Sequence, residues 1–320
     1  MGVQVRQFKW DDVEKLVPMC NASLVADGES AYVDTDYFKM RYGVPAHFTE
    51  NSYIAWQEDE PIGANMTLYS RAVGKGLATL YLHPDERNGE MPRQLIEASD
   101  EHLRDFGNEH TEDAKPVYLL RGVEAHLKDL QDLLVDIGYE DVRHFYGMKM
   151  ELPSTVDAPL LPAGLRVVPF NPQIHAEAMH RVYDQSFRDS WGMRDGVAFE
   201  PWKRGFMTDE MDYSLWVGVW DGEHMIGFSV CLVDPTGIEQ GKVRALGVLS
   251  DYRGQGIGTF LLQYSFHKFI KHGLKRAALN VDVAADTNPL SIYKKAGMQV
   301  DTHSIIMRRI LRGNAEDIND

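Results

Sequence analysis

The sequence predicts an α/β fold, a mixed sheet of the α+β kind flanked by helices and built twice in tandem. Three observations predict it. An apolar run, Val243-Arg244-Ala245-Leu246-Gly247-Val248-Leu249, leads through a glycine-rich turn, Arg253-Gly254-Gln255-Gly256-Ile257-Gly258, into a long helical pattern that begins Thr259-Phe260-Leu261-Leu262. The same plan of strand, hairpin, turn and helix is read twice, at an offset of about 160 residues. At 320 residues, 44% hydrophobic and 25% charged, the chain has the length of two ordinary domains and the apolar content to bury their cores.

In chain order, the first half opens with a strand at Val5-Arg6-Gln7-Phe8 and an acid-flanked helix start at Asp11-Asp12-Val13. A hairpin follows at 54–63, its apolar strands parted by the polar residues Glu58-Asp59-Glu60. Tyr81-Leu82-His83-Pro84-Asp85-Glu86-Arg87-Asn88-Gly89-Glu90-Met91-Pro92 occupies the turn position, and 133–139 reads as a late helix ending on Gly138-Tyr139. Pro153, Pro159 and Pro162, with Ser, Thr and Gly between and beside them, make an extended linker. The second half then repeats the plan. It has a strand at 165–170, a helix from 174, a hairpin at 217–227, the glycine turn, a strand Leu279-Asn280-Val281-Asp282 and a short helix within 290–298. The expected domains are 1–152 and 165–313, joined by a linker at 153–164 and followed by an acidic tail at 314–320.

The halves are chemically unequal. A strand that turns through three glycines into a helix presents free backbone N–H groups at the positive end of the helix dipole, a cradle for pyrophosphate. Glycine lets the backbone approach the phosphates, and Arg253 adds a charge. In the first half the glycine positions hold Asn88, Glu90 and Pro92. Proline lacks the N–H and glutamate brings a negative charge, so this half is expected to lack cofactor chemistry. Leu134 also stands where the second half has Tyr293. A P-loop is excluded because no Lys follows Gly258, and a dinucleotide fingerprint because the spacing is Gly254-x-Gly256-x-Gly258.

A formal charge of −15 argues against a nucleic-acid backbone as partner and suits either a cationic amine acceptor or simply an acidic, solubilising surface. No run approaches the ~20 apolar residues of a membrane helix, and the first residues lack a signal peptide's apolar core. The expectation is a cytoplasmic protein with no membrane partner. Cys20 and Cys231 fit no metal or redox spacing and read as reduced core residues. No His-x-x-x-His pair encloses an acid, and His267 and His272 are five apart, so no metal is expected.

The turn, with Leu246-Gly247-Val248-Leu249 before it and Val281-Asp282, Tyr293 and Gly297-Met298 after it, resembles the Gln/Arg-x-x-Gly-x-Gly/Ala turn of the GNAT acyltransferases, the acetyl-CoA-dependent N-acetyltransferase superfamily. The duplicated layout, with Ser186-Phe187-Arg188-Asp189-Ser190-Trp191-Gly192 followed by Phe199-Glu200-Pro201-Trp202, resembles the tandem GNAT proteins of mycothiol-synthase type.

That resemblance implies two tandem GNAT domains with acetyl-CoA as co-substrate. It implies that the backbone of Leu246, Gly247 and Val248 holds the pantetheine arm. Arg253, Gly254, Gln255, Gly256, Ile257, Gly258 and Thr259 then hold the pyrophosphate. Tyr293 is implied as general acid, with Glu239 or Asp282 as base acting through water. Trp191, Phe206 and the face of the first half are expected on the acceptor side. Where the family carries an Asn on the CoA arm this chain has Ala285, and Asn288 either takes over that contact or caps a turn before Pro289. The activity implied is transfer of acetyl to a primary amine of a small molecule, with the chemistry in the C-terminal domain of a monomer or homodimer. A peptide or protein N-acetyltransferase and a non-catalytic acyl-CoA sensor are the alternatives; the intact turn and Tyr293 favour chemistry over sensing.

Overall fold

A computed structural model of the chain describes residues 2–28, 33–43, 47–155, 158–193, 196–208, 211–234, 238–284 and 290–318. The chain forms two compact units, Met1–His144 with His303–Ile318, and Phe145–Thr302.

The elements in chain order are β1 (Gln4–Gln7), α1 (Val13–Ala26), α2 (Thr35–Tyr42), α3 (Phe48–Asn51), β2 (Tyr53–Gln57), β3 (Glu60–Ser70), β4 (Lys75–Leu82), α4 (Glu90–His110), β5 (Val117–Glu124), α5 (Lys128–Asp136) and β6 (Glu140–Glu151). The plan then repeats as β7 (Leu165–Pro169), α6 (Pro172–Phe187), α7 (Phe199–Phe206), β8 (Val217–Asp221), β9 (His224–Val233), β10 (Gln240–Val248), α8 (Ile257–Lys271), β11 (Arg276–Asp282), α9 (Leu290–Lys295) and β12 (Gln299–Arg312).

Local chemistry sets the element ends. Asn171 caps α6 by accepting from the Gln173 N–H at 2.9 Å, and Pro172 fills the first helical position, where a missing N–H costs nothing. α4 opens on Gly89 at φ 111° and buries Met91, Leu95, Ile96, Ser99, Leu103 and Phe106, the three-to-four spacing of one helical face. α8 begins at Ile257, two residues before the apolar pattern that announces it, because Gly256 in the left-handed region starts the first turn.

The first unit pairs its strands as β1-β2-β3-β4-β5-β12, antiparallel except for the parallel β4–β5 ladder. The second pairs them as β7-β8-β9-β10-β11-β6, antiparallel except for β10–β11. Each unit's run of strands thus includes one strand from the other half of the sequence. The boundaries 1–152 and 165–313 follow chain order, whereas packing divides the chain inside β6 and β12, between His144 and Phe145 and between Thr302 and His303.

The second unit's largest core gathers Met179, Val182, Trp202, Trp216, Phe228, Phe269 and Leu279, with Tyr183, Phe206 and Tyr293 packed against it. Val219, Ile226, Ile257, Phe260 and Leu261 form a second cluster beneath the glycine turn. Cys20 and Cys231 are buried and free; burial pushes both thiols up, that of Cys20 to about 12. At the C-terminus Ala315–Asp317 form a 3-10 turn and Ile318 is buried, so this part of the acidic tail is ordered. Among the described residues, no helix is long and apolar enough to cross a membrane.

Candidate active site

The site forms where two parallel strands part. β10 pairs with β11 over four residues only, from Gln240↔Arg276 to Val243↔Leu279. A β-bulge follows: pairing with β9 runs Val243↔Cys231 and resumes at Ala245↔Val230, leaving Arg244 as the extra residue. Past it, β10 runs on to Val248 along β9, and β11 runs on to Asp282 along β6. The strands thereby open a fork. Backbone groups of the Leu246–Val248 stretch that point toward β11 lose their ladder partner there.

The bulge also reverses which side of β10 faces which helix. A Cβ on Gly241 would lie 2.5 Å from the ring of Phe269 on α8. A Cβ on Gly247, an even number of residues later, would instead lie 2.9 Å from Ser186 Cβ on α6 and 2.7 Å from Phe228. Without the bulge both glycines would face one helix. Gly247 is therefore the residue that lets α6 close onto the end of β10.

Beyond Val248 the chain makes a 3-10 turn, Ser250–Tyr252, and then the glycine turn. Gly254 (φ 76°) and Gly256 (φ 82°) lie in the left-handed region that glycine enters at least cost. A Cβ built on Gly254, Gly256 or Gly258 meets nothing within 4 Å, so the turn faces open space. Gly256 is the N-cap of α8 and brings no side chain to satisfy the N–H groups of the first helical turn. Those donors and the positive end of the 15-residue helix are what an anion would meet. Thr259 is exposed on the same turn.

The polar side chains of the turn brace it from behind. Arg253 donates from Nε to the Val248 carbonyl at 3.1 Å and from Nη2 to the Ser186 carbonyl at 3.2 Å. Gln255 Nε2 donates to the Asp251 carbonyl at 3.3 Å, and the Tyr252 hydroxyl to Asp221 Oδ2 at 2.9 Å. Arg253 thus acts first as a tie between strand, helix and turn, with its charge held beside the cradle.

Tyr293 lies on α9, half-buried against the core that holds Tyr183 and Phe206. Burial pushes its phenol above the ordinary range, with no hydrogen bond or charge set against it. Such a hydroxyl stays protonated at neutral pH and is free to donate. Asp282 ends β11 on its open stretch, and its Oδ1 accepts from the Ala284 N–H at 3.0 Å.

Glu239 is not brought to the fork. It precedes β10 at the end away from the turn, roughly 26 Å along a strand of about 3.3 Å per residue. There Oε2 lies 2.5 Å from Lys275 Nζ, and the carbonyl accepts from the Lys275 and Arg276 N–H groups at 2.8 and 3.2 Å. Proximity in sequence to the cofactor strand made it a candidate; its place at the strand's far end removes it. Asn288 and Ala285 lie outside the described residues.

On the α6–α7 side, Phe206 ends α7 with its ring 5.2 Å from that of Tyr183 and 5.6 Å from that of Trp202. Trp191 packs its ring 6.4 Å from Phe145, the residue of β6 that pairs with Asp282. The bulge residue Arg244 carries its guanidinium 4.2 Å from the Phe206 ring centroid. Desolvation lowers the Arg244 pKa, and the Tyr183 phenol acts the other way. Sequence reasoning passed over Arg244 because it sits inside an apolar run; a lone cation in such a run was the available signal.

The first unit repeats the frame without the cradle. β4 and β5 also pair over four residues, Lys75↔Tyr118 to Ala78↔Arg121. Arg87 takes the place of Arg253 and donates to Asp27 Oδ1 at 2.5 Å and to the Ser23 carbonyl at 2.9 Å. The first turn of α4 instead carries Glu90 and buries Met91 and Pro92. Where β11 has Leu279, β5 has Arg121, fully buried and donating to Asn65 Oδ1 at 2.8 Å and the Tyr139 hydroxyl at 3.3 Å.

Residues 176–298 match the Acetyltransferase (GNAT) family. The whole chain is similar to the mycothiol acetyltransferase of Thermobispora bispora, at 25% identity over 96% of this chain and 99% of that one. It is similar as well to the mycothiol acetyltransferase of Geodermatophilus obscurus, at 26% identity over 93% and 97%. Among solved structures, a GCN5-related N-acetyltransferase from Sphaerobacter thermophilus has a TM-score of 0.83 at 21% identity, over 98% of this chain and 96% of that one. A tandem GNAT protein from the clavulanic acid biosynthesis pathway has a TM-score of 0.71 at 14% identity, over 98% and 100%. The fold is that of two tandem GNAT domains, and the chain is an acyltransferase, which sets aside the non-catalytic sensor.

Proposed function

We propose that this acyltransferase of tandem GNAT build moves an acetyl group from acetyl-CoA to the primary amine of a small molecule, with the chemistry in the second unit. The observation that carries the reading is the open glycine turn at the end of the forked strand. A Cβ at Gly254, Gly256 or Gly258 would project into the space the turn leaves clear, and the N–H groups behind it are uncapped.

Acetyl-CoA supplies a thioester carbonyl and a thiolate leaving group. The residues of the chain do the rest. In this reading the turn 253–258 and Thr259 hold the pyrophosphate by backbone N–H groups and the helix dipole. The freed backbone of Leu246–Val248 runs beside the pantetheine arm and fixes its depth in the fork. Tyr293, kept neutral by burial, gives its proton to the departing sulfur. Asp282, on the open stretch of β11, takes the amine proton through water. Trp191 and Phe206 line the acceptor's approach.

The names of the full-length relatives favour a small-molecule acceptor over a peptide one. The test is a turnover screen with acetyl-CoA, read by thiol release, across amino sugars, amino acids, polyamines and peptides. Acetylation of one small amine well above the peptides supports the reading; thiol release only with peptides overturns it.

A further inference from the structure

We infer that Arg244, seated over the Phe206 ring at the mouth of the fork, is an anchor for a carboxylate on the acceptor, so that the amine acetylated here belongs to an amino-acid-like molecule. The inference rests on the acetyl-transfer reading above and names its substrate class.

Four features of the site converge. The residue is exposed, and its guanidinium carbon lies over the Phe206 ring, 4.2 Å from the centroid. A guanidinium held over an aromatic face loses side-chain freedom and keeps N–H donors for a carboxylate, which arginine can bind in a bidentate pair. Among the described residues the charge has no acidic partner, in a chain with 48 Asp and Glu against 33 Lys and Arg. In so acidic a protein an arginine beside the fork, with no acidic partner among the described residues, is the local attraction that an anionic acceptor needs.

Position separates this cation from the phosphates of CoA. Arg244 is the bulge residue, where β10 leaves β11. The glycine turn begins beyond Val248, four residues further on, about 13 Å at ~3.3 Å per residue. An anion bound at the turn is therefore out of reach of Arg244. The chain's own strand also points the cation to the acceptor side: Arg244 meets Phe206 of α7, while Gly241 faces α8. Lys242, two residues earlier on β10, adds a second positive charge to the same strand.

The test uses the full-length protein. Free amino acids are compared as acceptors with their carboxamides, which keep the amine and lose the anion. Wild type is expected to favour the free acids by about 10-fold or more in kcat/KM. In Arg244→Gln that preference collapses, with a loss of about 10- to 100-fold on the acids and no change on the amides or in the KM for acetyl-CoA. Arg244→Lys keeps the charge without the planar pair of donors and should recover part of it. The wild-type comparison stands even if a variant folds poorly.

A second measurement is independent of turnover: NMR titration of N-acetyl amino acids in the presence of CoA. Binding to wild type that is lost in Arg244→Gln supports the anchor. If no amine is acetylated but this binding is seen, the acetyl-transfer reading fails and the carboxylate site stands. Equal use of acids and amides, or N-acetyl amino acids that bind Arg244→Gln as well as wild type or bind neither, overturns the inference.

Discussion

Arg253 donates to the backbone carbonyl of Ser186 at 3.2 Å, and Arg87 repeats the contact on Ser23 at 2.9 Å in the other unit. The two ties hold the same joint in a duplicated frame, between the turn after a forked strand and the end of the first long helix. The two units differ in the residues that come after the arginine. Gly254, Gly256 and Gly258 leave open space, whereas the matching first-unit positions hold Asn88, the acidic Glu90 and the buried Pro92.

Arg253→Ala should therefore weaken acetyl-CoA binding by roughly 10-fold, the scale of about one lost hydrogen bond to a charged group. Arg87→Ala removes the same tie from a turn with no cradle and should leave acetyl-CoA affinity unchanged. Calorimetric titration of both variants checks the pair.

Tyr293→Phe should lower kcat by about 10²- to 10⁴-fold with little change in the KM for acetyl-CoA. Equal activity across pH would make Tyr293 a packing residue.

The pH dependence has a definite sign. Burial raises the Tyr293 phenol above its ordinary value of about 10, so the protonated form, the one able to donate, persists from neutral pH to beyond pH 10. The rate should rise with pH as the acceptor amine deprotonates and should fall only above about pH 10. A falling limb at about pH 8–9 that vanishes in Tyr293→Phe would show a lowered phenol instead.

The strand exchange predicts how the chain can be cut. Residues 160–313 lack β6 and leave the β11 edge without the partner it has from Arg276↔Glu151 to Asp282↔Phe145. Such an edge invites aggregation. Residues 140–302 keep every strand of the second unit and should be the more soluble fragment and the one that binds acetyl-CoA. Size-exclusion chromatography and circular dichroism of the two fragments decide it.

Much of this was legible in sequence because it is local. The strand, the turn through Gly254 and Gly256, and the helix behind it are set by consecutive residues, and the repeat made both copies readable. The exchange of β6 and β12 was not legible. Each strand comes after its own short helix, α5 or α9, in the same way, so local pattern does not say which sheet each joins; pairing distant in sequence decides. Arg244 was missed because a bulge changes the side on which a residue lies, and a two-residue alternation does not show where the bulge falls. Glu239 was misleading for the opposite reason: nearness to a strand in sequence says nothing about which end of it carries the chemistry.

The central claim is one cradle in a duplicated frame, and the stoichiometry of acetyl-CoA binding tests it most directly. Isothermal titration of the full-length chain should give one site, and Gly256→Glu should abolish it, since the new side chain is strained at φ 82° and puts a negative charge where the phosphates would lie. Two sites per chain, or binding that survives Gly256→Glu, would contradict the account.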